Sequence, residues 1–161
     1  MPNYYDQSIY AFLYRLTQDA LFAKYAGGLI IFSFVAIMAD LFFHLQKKHK
    51  GSKILFVIFF SMFIALMSVS NFFSWQHHLV FAYPLILILY LINFNRHLQA
   101  IKQILYHGLF LLIWVGFVWH FKGENATLFK NPFVVSYQTF LVLGIIIWQI
   151  IIFWKQKGVP R

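Results

Sequence analysis

Cysteine is absent from this 161-residue chain, and acid is scarce, with four Asp and Glu against thirteen Lys and Arg. The first absence excludes disulfides, thiol nucleophiles, Cys-ligated zinc and iron–sulfur clusters. The second excludes paired-carboxylate catalysis, because Asp40 is the only acid within an apolar run. Charged residues make up 11% of the chain, whereas soluble domains carry about a quarter. There is no G-x-S-x-G, no phosphate-binding P-loop, no dinucleotide-binding glycine pattern and no H-E-x-x-H, so nothing argues for an enzyme.

What is present is apolar surface. The chain is 61% hydrophobic and 22% aromatic, more than a soluble domain of this size can hide. The pattern predicts an all-α polytopic membrane protein. An amphipathic interfacial helix is expected over residues 1–24, and a bundle of five transmembrane helices over 25–161. The expected spans run from about Ala26 to Leu45, Ile54 to Phe73, Leu79 to Phe94, Ile104 to Phe121 and Phe133 to Trp154. A crossing needs about 18–20 residues, so the third is the shortest. It reaches across by extension through Trp75 or Asn95, with Pro84 tolerated in its first turns. The alternative is four spans with this segment re-entrant. No cleavable leader is evident, since the first long apolar run begins near Tyr25 behind a mixed-charge stretch, so the first span is expected to be retained.

The net charge of +9 does not point to nucleic acid, because the basic residues occupy the breaks between apolar runs. Lys47, Lys48, Lys50, Lys53, Arg96, Lys102, Lys155, Lys157 and Arg161 fall on one side, and Arg15, Lys24, Lys122 and Lys130 on the other. The positive-inside rule then places the N-terminus outside and the C-terminus in the cytoplasm, with a bacterial inner membrane as the expected setting. Trp75 and Trp119 mark the outer interface and Trp154 the inner one. Asn125-Ala126-Thr127 has the form of a glycosylation acceptor on the outer side, relevant only in a eukaryotic host.

Ahead of the first span, Tyr5, Ile9, Phe12, Leu13, Leu16 and Ala20 share one helical face, opposite Gln7, Arg15, Gln18 and Asp19. This predicts a helix in the outer interface that turns into the membrane near Gly27-Gly28. Polar residues inside the spans also form stripes. Ser33, Ala36, Asp40 and His44 stack on the first; Ser61, Ala65, Ser68 and Asn71 on the second; Tyr83, Tyr90 and His97 on the third; Gln138 and Gln149 on the fifth. The stripes are expected to turn toward one another, either as ordinary hydrogen-bonded packing or as a polar seam. A proton relay through that seam would use Asp40, His44, Tyr90, His97 and Gln149.

Seven histidines form two layers, His44, His97 and His107 toward the cytoplasm, with His49 in the loop beyond them, and His77, His78 and His120 toward the outside. Two layers are what a pair of b-type haems would need, with His44, His97, His107 and His120 as candidate axial ligands. Against this, His107 and His120 are thirteen apart, which turns them about 140° from each other on one helix. The adjacent His77 and His78 are candidate metal ligands without helical i, i+4 spacing. No cofactor is expected on the leading reading, which is a non-catalytic integral subunit or accessory protein of a larger membrane assembly. Its partners are then the lipid bilayer and other membrane subunits. The alternatives are a small proton-coupled transporter built on Asp40 and His44, and a haem b electron-transfer subunit.

Overall fold

The computed structural model describes residues 8–70, 80–94, 100–118 and 131–157. Among them every element is helical and there is no strand. The helices are α1 (Ile9–Thr17), α2 (Ala20–Lys48), α3 (Lys53–Ser70), α4 (Tyr83–Phe94), α5 (Ala100–Val118), α6 (Pro132–Val135) and α7 (Tyr137–Lys157). Hydrocarbon offers backbone N–H and C=O groups no partner, and a helix is the way a single segment supplies its own.

Three of the helices, α2, α3 and α7, are long and apolar enough to cross a membrane, which marks an integral membrane protein. They correspond to the expected first, second and fifth spans. The apolar stretches of α4 and α5 are shorter, Val80–Leu91 and Gln103–Val115. The twelve residues of α4 rise only about 18 Å, against roughly 30 Å of hydrocarbon. Trp75 and Asn95, through which the third span was expected to lengthen, lie outside the described residues.

Side chains close the helix ends. Ser8 caps α1, its Oγ accepting from the Ala11 N–H at 3.0 Å. Gln18 then takes a left-handed conformation at φ 57° and returns its N–H to the Tyr14 carbonyl. Next, the Asp19 carboxylate accepts from the N–H groups of Leu21 and Phe22, at 2.9 and 3.0 Å. The chain therefore turns at Gln18-Asp19, earlier than the expected Gly27-Gly28, and α2 runs unbroken through both glycines. Two satisfied N–H groups favour a helix start at Asp19, while a mid-helix glycine weakens a helix by about 1 kcal/mol without ending it.

Gly27 has a packing role instead. A Cβ there would lie 3.7 Å from Leu13 Cδ1 and 3.8 Å from the Tyr10 Cα, so α1 folds back closely on the first turns of α2. Ile9 is buried beside that contact, Ala11 is buried as well, and Phe12 packs edge-on against Phe133 and Phe140 at 5.2 and 4.8 Å between ring centres. Leu16, expected on the same face, remains exposed.

Between α2 and α3 the chain reverses at Lys50-Gly51, where Gly51 supplies φ 73°. Ser52 Oγ caps α3 by accepting from the Leu55 N–H at 3.4 Å. The basic cluster Lys47, Lys48, Lys50 and Lys53 brackets this turn. The expected fifth span starts instead as a short α6, capped by Asn131, and breaks at Ser136 before α7.

The central helix is α3, packed against α2, α4 and α7. It buries Leu55, Ile58, Phe59, Met62, Ala65, Leu66 and Val69. Phe59 stacks on Phe153 of α7 at 5.0 Å and meets Phe42 of α2 edge-on at 5.4 Å, which joins three helices through one ring. With apolar solvent outside, such close packing and not water exclusion holds the helices together.

Gly27→Ala is expected to leave α1 docked, because its methyl meets only ordinary van der Waals distances, whereas Gly27→Phe should displace α1. Limited trypsin cleavage after Arg15 will check this: it should accelerate in the Phe variant and stay at the wild-type rate in the Ala variant.

Candidate functional site

The polar residues of the spans divide into three groups with different surroundings. The first lies on α2. Met38, Leu41 and Leu45 turn inward and are fully buried, and this places Asp40 and His44 on the opposite, exposed side. On an ideal helix the buried trio sits roughly 130° around from Asp40. Ser33, Ala36, Asp40, His44 and Lys47 are all exposed along this outer line. The stripe expected to face the bundle interior therefore faces away from it. The three large apolar side chains fill the interior contacts of α2 with α3 and α7, which leaves the carboxylate on the outer side. Ser33 donates its hydroxyl to the Leu29 carbonyl of its own helix at 2.8 Å.

The second group is buried where α1 meets α6 and α7. Arg15 reaches across from α1 and donates from Nη1 to Ser136 Oγ at 2.9 Å. Ser136, Gln138 and Thr139 are each at most 1% exposed, so the break between α6 and α7 gathers polar groups inside the fold. Arg15 had been assigned to the polar, solvent side of the amphipathic helix. The signal for the contact was present in the sequence: Asn131-Pro132 marks a helix start, and Ser136, Gln138 and Thr139 follow within two turns. Further along α7, Gln149 is buried on the same side as Gln138. On α3, Ser61 and Ser68 are buried, and Ser68 donates to the Ala65 carbonyl at 2.7 Å.

The third group lies between α4 and α5. These helices touch only lightly and leave a cavity of about 940 Å³. Ile86 and Phe110 are buried at its base; Tyr83, Tyr90 and His107 are half-buried in its wall; Leu87, Leu111 and Trp114 stand exposed at its rim. The ring centres of Tyr90 and His107 lie 5.5 Å apart, and Phe110 meets Tyr90 edge-on at 5.4 Å. Sequence spacing alone assigns Tyr90 to a proton relay and His107 to a haem site, and the fold sets the two rings side by side.

The other expected site residues are distributed as follows. Asp40 and His44 lie outside on α2, Gln149 inside on α7 and Tyr90 beside α5, so these four line three different surroundings and no shared channel. His97, His77, His78, His120 and Asn71 lie outside the described residues. Of the candidate haem ligands, His44 is exposed on α2 and His107 is half-buried on α5. Among the described residues no three His, Asp or Glu side chains gather as a metal-binding cluster.

No protein-family model, curated protein or solved structure matches the chain.

The Arg15–Ser136 bond should be measurable by a double-mutant cycle with Arg15→Met and Ser136→Ala. A coupling energy of about 1 kcal/mol is expected from unfolding midpoints in mixed micelles. Additive single-variant effects would remove the bond from the stability of the fold.

Proposed function

We propose that the chain is an integral subunit or accessory protein of a larger membrane assembly, without catalysis of its own. The observation that carries this reading is the outer line of α2. Ser33, Ala36, Asp40 and His44 lie on one exposed face of a helix long and apolar enough to cross a membrane. Asp40 lies eight residues before the end of α2 at Lys48, about 12 Å along the axis. Asp40 keeps an exposed surface on this face whatever it contacts within its own chain. The small Ser33 and Ala36 let a second helix approach closely one to two turns above it. The occupant this face fits is a transmembrane helix of another protein, packed along this line of small and polar side chains.

Five spans fit the same reading, with the α4 and α5 segments as the third and fourth. The orientation proposed is N-terminus outside and C-terminus in the cytoplasm, in a bacterial inner membrane. It rests on the lysines that bracket the α2–α3 turn and on Lys155 near the end of α7. The natural absence of cysteine makes this simple to test. A single cysteine at Lys50 or Lys155 should react with a membrane-impermeant maleimide only after permeabilisation, and one at Gln18 before it. The reverse pattern would invert the topology.

Mild-detergent extraction from native membranes should yield a stoichiometric membrane-protein partner. Asp40→Asn and Ala36→Phe should each lower its recovery tenfold or more while helicity and membrane insertion stay at wild-type levels, because both positions are exposed in the isolated chain. A wild-type protein that extracts alone and remains fully active after reconstitution would sink the proposal.

A further inference from the structure

We infer that the α4–α5 cavity binds a lipid-soluble small molecule with a planar, oxygen-bearing ring and an aliphatic tail, the chemistry of a quinone. Volume is the first argument. About 940 Å³ lies within the range of sites that hold drug-sized ligands, roughly 300–1,000 Å³. The lining is the second. Four aromatic side chains, Tyr83, Tyr90, Phe110 and Trp114, surround the space, and flat rings pack on such walls edge-on or offset. Third, the polar groups are few. Tyr90 and His107 stand together, 5.5 Å between ring centres. The Tyr83 hydroxyl and the Trp114 indole are the other polar groups of the lining, and Val80, Pro84, Ile86, Leu87, Ile88, Phe110 and Leu111 make up the rest.

A phenol beside an imidazole offers both a donor and an acceptor, which suits a carbonyl or a ring hydroxyl there. An acyl chain would use the apolar wall and leave Tyr90 and His107 unused. A water-soluble ligand would instead meet a wall that is apolar almost throughout. Entry is from the side, because Leu87, Leu111 and Trp114 are exposed at the rim, so a molecule already dissolved in the bilayer reaches the cavity without crossing water. The inference rests on the proposed placement of α4 and α5 in the membrane, but not on the subunit reading, since it uses neither α2 nor any partner protein.

The test uses the full-length chain in phosphatidylcholine nanodiscs, titrated with decylubiquinone and followed by tryptophan emission. Collisional quenching in lipid rises linearly with probe, so binding appears as a saturable component above it. That component is expected in wild type and in a variant with Trp119 and Trp154 replaced by Phe, and is expected to be lost in Trp114→Phe. Tyr90→Phe and His107→Leu should each weaken the probe three- to tenfold, the range for one hydrogen bond lost. Leu111→Trp, at an exposed rim position, should block binding by filling the space while circular dichroism stays unchanged. Decylbenzene, with the same tail and no oxygen, should fail to displace the probe. Strictly linear quenching in wild type would overturn the inference. So would loss of the saturable component when decylbenzene is added at a concentration equal to the decylubiquinone, which would make the cavity an acyl-chain groove.

Discussion

Backbone hydrogen bonding in a solvent that supplies no partners is the constraint from which the rest of this structure follows. Within each span the helix meets it unaided. The difficulty falls at the ends, where the first N–H and last C=O groups have no intrahelical partner. Ser8, Asp19, Ser52 and Asn131 each accept from an N–H at the start of a helix. These four short polar side chains decide where the elements begin. The two corners that result, Gln18-Asp19 and Lys50-Gly51, set α1 back against α2 and α2 against α3. The packing of the bundle is therefore downstream of its caps.

Side-chain polarity obeys the same constraint in three different ways. Serines on α2 and α3 bond the carbonyl of a preceding turn, which satisfies the hydroxyl without a neighbouring helix. At the α6–α7 break, Ser136 accepts from Arg15, so a cation on the N-terminal helix is bound to a junction 121 positions away. Asp40 and His44 lie on the outside of α2. A bundle that satisfies most of its polar groups locally and leaves one polar line exposed has a distinct outer side. That asymmetry is the physical content of the proposal that another subunit covers α2. The lightly touching α4–α5 pair is a second departure from close packing, and it leaves the cavity of about 940 Å³.

Much of the architecture was readable residue by residue. The scarcity of charge and the long apolar runs gave the solvent, the helical class and the approximate ends of α2, α3 and α7. The lysines around Gly51 marked a turn outside the apolar interior. Gln138 and Gln149, eleven apart, do share a buried side of α7. The face of α2 was not readable in the same way. Its apolar side chains are spread around most of the helix, so periodicity leaves the inward direction open. Only packing of α2 against α3 and α7 selects Met38, Leu41 and Leu45 over Ser33, Ala36 and Asp40. The glycine pair misled for a related reason. Glycine tolerates a turn but does not require one, whereas Asp19 followed by free N–H groups starts a helix.

The sequence by itself determined the solvent, the helical class and the exclusion of thiol chemistry, because each depends on composition and on local hydrogen bonding. Tertiary structure alone decided which polar groups meet. It separated Asp40 from Gln149, brought Arg15 to Ser136, and set Tyr90 beside His107 across a cavity. Those outcomes depend on how residues far apart in the chain compete for the same interior surface. A one-dimensional pattern holds the competitors but not the result, since the winning face of each helix is chosen by the shape of its neighbours.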